Sequence, residues 1–85
     1  MTFGEALENV KEGKRISRQG WNGKEQYVEL ATHVSYRNSK DEIINPQHDA
    51  FAGSIALAFV GTSGIQIGWL ASQADMLAND WRVIE

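Results

Sequence analysis

The chain has 85 residues, eight Lys and Arg against eleven Asp and Glu, a net charge of −3 and no cysteine. That length makes one small domain, expected over residues 1–85, which buries only about 60–65% of its unfolded surface. Disulfides and thiolate zinc sites are excluded, the acidic balance argues against a general DNA- or RNA-binding surface, and oligomerisation is left as the expected support for a thin core.

The first predicted element is a short helix. Thr2 and Glu5 form a T-x-x-E capping box, and Phe3, Leu7 and Val10, with Ala6 beside them, share one face. Gly13 stands where a left-handed C-terminal cap belongs. Lys14 to Arg18 alternates as a short strand, and Asn22-Gly23 is the strongest turn signal in the chain. Tyr27 to Thr32 is β-prone and alternating, so residues 14–32 read as a β-turn-β unit.

Residues 33–54 are polar. A structureless loop of that length is unusual in a compact domain, so the segment is either functional or hides a short element. Tyr36 and Arg37 are candidate contact residues there, against the plainer reading of solvated loop side chains. Ile55 to Val60 is almost wholly apolar and reads as an interior strand. Gly61-Thr62-Ser63-Gly64 is a four-residue turn, and Ile65 to Trp69 returns as the partner strand. Ser72 and Asp75 form a second capping box, opening a helix over 73–79 that is too short to stand alone and must dock. Trp81 to Ile84 closes as an edge strand. The order is α-β-β-loop-β-β-α-β. The class is α+β, a small, mainly antiparallel sheet with two short helices.

The pattern G-x-x-x-x-G-K-[ST] does not occur, nor do G-x-G-x-x-G, H-E-x-x-H or G-x-S-x-G. His33 and His48 do not make a metal site without carboxylates, and adjacency of His48 to Asp49 is not a relay geometry. No metal and no cofactor are expected. No apolar run approaches the ~18 residues of a membrane span, and Met1-Thr2-Phe3-Gly4-Glu5 lacks the basic and apolar regions of a signal peptide. A cytoplasmic protein with no membrane partner is the expectation.

Three tryptophans in 85 residues is a high number. Trp21 lies beside a turn, Trp69 ends a strand just before a helix cap, and Trp81 begins the last strand. Each is either a core anchor or a platform for a planar ring; Trp81 fits the core reading better. Ser72, Gln73, Asp75 and the free N–H groups of the helix start make a small polar set suited to a nucleotide. On the residues alone, plain helix capping by Ser72 and Asp75 is the favoured reading. Lys14, Arg15, Arg18 and Lys24 cluster around the first turn and are either the cations that meet an anion or simply a solvated strand face.

The opening segments Phe3-Gly4-Glu5-Ala6-Leu7, Gly13-Lys14-Arg15-Ile16-Ser17-Arg18 and Gly20-Trp21-Asn22-Gly23, with the closing segment 69–81, resemble the phage and prophage family named Thoeris anti-defence two. The resemblance implies a homotetramer that binds cyclic ADP-ribose isomers, made by a TIR-domain defence enzyme, between its protomers. Such a protein holds the signal without cleaving it. Some members also sequester cyclic oligonucleotides at a separate site. It further implies that Trp21 and Trp69 flank the ligand, that Asn22, Gly23, Ser72, Gln73 and Asp75 supply hydrogen bonds, and that Trp81 and Leu77 pack. Gly68 departs from the pattern, since many relatives carry proline there. The rival expectations are an enzyme degrading the same nucleotides, relying on His33, His48 or acidic residues, and a small phage subunit that binds another protein.

Overall fold

The computed structural model describes residues 1–21, 25–32, 36–44 and 55–84. Helix α1 spans Phe3–Lys11. Strands β1 (Arg15–Arg18) and β2 (Tyr27–Ala31) follow. The polar middle holds a two-residue pair, β3 (Tyr36–Arg37) and β4 (Ile43–Ile44). Strands β5 (Ala56–Gly61) and β6 (Gly64–Ile67), helix α2 (Gln73–Leu77) and strand β7 (Trp81–Ile84) complete the chain. The main sheet has the order β6-β5-β2-β1-β7, with every pair antiparallel. This is the α+β order expected from the sequence, with β7 on one edge.

Three details sharpen it. The segment 33–54 does contain a short element, the β3–β4 hairpin. Gly61 pairs with Gly64, so the turn between β5 and β6 is only Thr62-Ser63. Helix α2 stops at Leu77, two residues before the expected end.

The strand register explains which side of the sheet is the core. Val83, Ile16, Val28 and Phe59 stand opposite one another across β7, β1, β2 and β5. Side chains alternate faces along a strand, so Arg18, Trp81, Leu30 and Leu57 share that face. Helix α1 packs on it. Its capping box is closed, with the Thr2 hydroxyl accepting from the Glu5 N–H, and Gly13 has the left-handed φ of 90°. Ala6 and Val10 are fully buried against Ile16, Val28 and Trp81. The other face carries Arg15, Tyr27, Val60, Ile65 and Ile67, and the last two are more than half exposed. Strand β1 does not bury by simple alternation. Ser17 is buried as well as Ile16, its hydroxyl accepting from Arg82 Nε at 3.3 Å.

No helix among the described residues is long and apolar enough to cross a membrane. Asn22, Gly23, Lys24, His33 and His48 lie outside the described residues.

Candidate functional site

Five aromatic rings meet where α1 packs, β1 ends, β5 runs and α2 begins. Trp81 is buried, its ring 5.2 Å from Phe3 and 5.3 Å from Trp21 between centroids. Trp21 meets Phe59 edge-on at 5.4 Å and Trp69 at 6.2 Å. Phe59 and Trp69 lie nearly parallel, 27° apart, with centroids at 6.1 Å. Trp81 is therefore the core anchor expected of it. Trp21 and Trp69 are half-buried, each with part of its ring open to solvent.

The backbone aims Trp69. The N–H groups of Gly68 and Trp69 both donate to the Leu57 carbonyl, at 2.9 and 3.1 Å. Two residues thus oppose one, as in a β-bulge. Gly68 takes φ 83° to do this. Proline is fixed near −65°, so a proline at this position has no place in this geometry.

Asp75 ties the cluster to α2. Its Oδ1 accepts from Arg18 Nη1 at 2.8 Å and from Trp21 Nε1 at 3.2 Å. Its Oδ2 accepts from the Ser72 N–H at 3.4 Å, and its own N–H donates to the Ser72 hydroxyl at 3.1 Å. Its backbone carbonyl accepts from Trp81 Nε1 at 2.8 Å. Arg18 forks. Its Nε reaches Asp80 Oδ1 at 2.8 Å, and Asp80 Oδ2 accepts from the Gly20 N–H at the same distance. Burial alone would push Asp75 up, but the bonds from Arg18, Trp21 and Ser72 hold it below its ordinary value. The Arg18 hydrogen bond, outweighing some burial, holds Asp80 below its own, with the Gly20 N–H adding to it.

This network changes the reading of several residues. Ser72 and Asp75 do cap the helix, as favoured on the residues alone. A carboxylate has about four lone-pair sites, and three on Asp75 are taken from within the chain. Gln73 is exposed at the start of α2. Leu77, expected to pack, is 77% exposed. A helix of five residues has no face long enough to bury, and α2 is held by Asp75 instead. Three of the expected cations, Lys14, Arg15 and Arg18, are engaged elsewhere, and the fourth, Lys24, lies outside the described residues. Lys14 reaches Glu12 at 3.4 Å, Arg15 lies 5.1 Å from the Tyr27 ring centroid on the opposite face, and Arg18 is paired with two aspartates. Arg37 pairs with Asp41 within its own hairpin at 3.0 Å.

Trp21, Phe59 and Trp69, with Gln26 and Asp75, line a pocket of about 280 Å³. Phe59 and Gln26 were not singled out in the sequence. In the sequence Phe59 lies within the apolar run 55–60, and Gln26 immediately precedes the alternating run 27–32. A larger concavity of about 460 Å³ lies on the opposite face, with Tyr27, Val60 and Ile84 in its wall. The aromatic pocket is the better candidate, because it joins ring faces to a defined polar rim.

Fold and site together define a small α+β domain with an aromatic pocket rimmed by a paired carboxylate. The model of the Thoeris anti-defense 2-like domain matches residues 1–84, and the chain belongs to that family. It is 37% identical to Thoeris anti-defense 2 of Bacillus phage SP01 over 89 aligned residues, covering 99% of this chain and 94% of the relative.

Proposed function

We propose that the chain is a phage anti-defence protein that binds cyclic ADP-ribose-type immune signals, glycocyclic ADP-ribose among them, and sequesters them uncleaved in the infected host's cytoplasm. The observation that carries this reading is the convergence of Trp21, Phe59 and Trp69 on one pocket in a member of an anti-defence family. A stacked base on an aromatic platform contributes about 1–3 kcal/mol. Nanomolar retention needs about −12 kcal/mol, so the rest of the ligand must be held too.

The pocket is at the small end of ligand sites, which run about 300–1,000 Å³. It has room for one ring system rather than a whole cyclic ADP-ribose. The remainder falls to a second protomer, which agrees with a homotetramer holding ligand between subunits. Leu70 and Leu77, 88% and 77% exposed on either side of the Ser72 cap, are apolar surface suited to such a contact. Binding without turnover is favoured by the state of the rim. A general base works best with a pKa near the working pH, and Asp75 and Asp80 are held low by Arg18.

The test is direct. Purified protein is mixed with a TIR-generated cyclic ADP-ribose isomer, freed of unbound ligand, heat-denatured, and the supernatant weighed by mass spectrometry. Recovery of the unchanged mass at one equivalent per chain or fewer is expected. Product that accumulates with time would make the protein an enzyme. An empty supernatant would overturn this ligand class, and the same assay then takes cyclic oligonucleotides. Trp69→Ala is expected to abolish retention while the oligomer persists.

A further inference from the structure

The pocket wall contains two polar side chains, Asp75 and Gln26. Asp75 is largely engaged by Arg18, Trp21 and Ser72. Gln26 has no tie of that kind: among the described residues its amide makes no side-chain hydrogen bond. It thus brings a donor and an acceptor to the pocket together.

Its position follows from the register. Tyr27 pairs with Val60, so one step further Gln26 faces Gly61 at the end of β5, on the same face as Phe59. Gly61 leaves that place open. A Cβ there would stand 3.0 Å from Phe59 Cε1 and 3.9 Å from Gln26 Nε2. The bare glycine lets the Phe59 ring and the Gln26 amide lie side by side. A flat ring resting on the aromatic wall would present its edge to that amide.

We infer that Gln26 is the residue that reads the ring in the pocket, and that it selects adenine. The inference rests on the proposed sequestration of adenine nucleotides. A carboxamide matches adenine at two points, accepting from the exocyclic amine and donating to N7. Hypoxanthine offers acceptors at both places, so one of the two bonds becomes a repulsion. Asp75, an acceptor on a helix cap, holds Trp21 by its indole N–H, and Gln26 supplies the discrimination.

The experiment titrates the intact protein with a TIR-generated glycocyclic ADP-ribose and with its hypoxanthine analogue, following tryptophan fluorescence. The wild-type chain is expected to prefer the adenine ligand by about tenfold or more, the scale of one good bidentate pair. Gln26→Leu is expected to bring that ratio close to one with an unchanged melting temperature and oligomeric state. Gln26→Glu keeps the shape but turns the donor into a second acceptor, so it is expected to weaken both ligands and to keep the preference for adenine, whose amine still has an acceptor. A folded Gln26→Leu that keeps the wild-type ratio overturns the inference, and so does a folded Gln26→Glu that loses the preference for adenine. So does a wild-type protein that binds both ligands equally, although sequestration then stands. A wild-type protein that binds neither overturns the proposed function itself.

Discussion

Helices α1 and α2 both open on a closed capping box, Thr2 with Glu5 and Ser72 with Asp75. From there they diverge. Helix α1 runs nine residues and drives Ala6 and Val10 into the core. Helix α2 runs five, and each of them keeps some exposure. It is held by one carboxylate that meets Arg18, Trp21 and its own cap, and by one carbonyl that meets Trp81. Apolar burial is non-directional and little affected by pH or salt. Charge-assisted hydrogen bonds are directional and respond to both. The domain thus fastens its scaffold by packing and the rim of its candidate site by polar geometry.

The largest effect is expected from breaking the packed side. Ile16 is fully buried beneath α1. Ile16→Ala is expected to cost about 2–5 kcal/mol, and each kcal/mol lowers the melting temperature by about 4–8 °C in a domain of this size. Calorimetry or thermal circular dichroism measures it, and helix α1 and the sheet should melt together. A drop under about 4 °C would mean that the core is not where the domain's stability lies.

Arg18→Met breaks the other side. It keeps length and removes the charge, leaving Asp75 and Asp80 without their common partner. The expected melting shift is smaller than for Ile16→Ala, but the loss of nucleotide retention is larger in proportion. Trp21 loses its fixed indole acceptor when Asp75 is released, so the fluorescence maximum should move to the red. Equal damage to stability and retention would erase the distinction between the two helices.

Acid titration sharpens the same contrast. Asp75 and Asp80 are lowered in the folded chain, and so is Glu5, through the Thr2 backbone and hydroxyl bonds. A lowered carboxylate contributes stability in full above its unfolded value, about 3.9 for Asp and 4.3 for Glu. That contribution is lost as pH falls through the folded value. Melting temperature should therefore hold steady from neutral pH to about pH 5 and fall below about pH 4. In Arg18→Met the acid-dependent part should shrink to what Glu5 and the remaining bonds from Trp21, Ser72 and the Gly20 N–H retain. An unchanged acid slope in that variant would show that the Arg18 network does not set the titration.

The same division decides what could be read from the sequence. Packed elements announce themselves locally. The spacing of Phe3, Leu7 and Val10, the caps at Thr2 and Ser72, Gly13 and the apolar run to Val60 all sit within a few residues of what they specify. The family resemblance rested on such local strings, and the match over residues 1–84 agrees with it. Polar ties join residues far apart in the chain. Arg18 and Asp75 are 57 positions apart, and Trp21 and Asp75 are 54. Only the register that sets Arg18 opposite Trp81 brings them together. So Arg18 was legible as a cation and not as the clamp on two aspartates. Strands β3 and β4 are two residues each, too short to show a period. Gln26 is a single polar residue before a strand, and its place beside Phe59 depends on Gly61 across the sheet.

The two caps give the finest test, because the chemistry is the same and only the attachment differs. An N-cap hydroxyl contributes about 1 kcal/mol to its helix. In α1 the helix is part of the core, so Thr2→Ala should lower global stability by about that amount. In α2 the helix can fray without opening the core, because burial stops at Trp81. Ser72→Ala should leave the melting temperature nearly unchanged and appear instead as faster amide exchange over 73–77, the mark of local rather than global opening. Retention of the nucleotide should weaken, since Asp75 then loses part of what orients it toward Trp21. If Ser72→Ala instead lowers global stability as much as Thr2→Ala does, α2 belongs to the same cooperative unit as α1. The pocket rim would then be part of the scaffold.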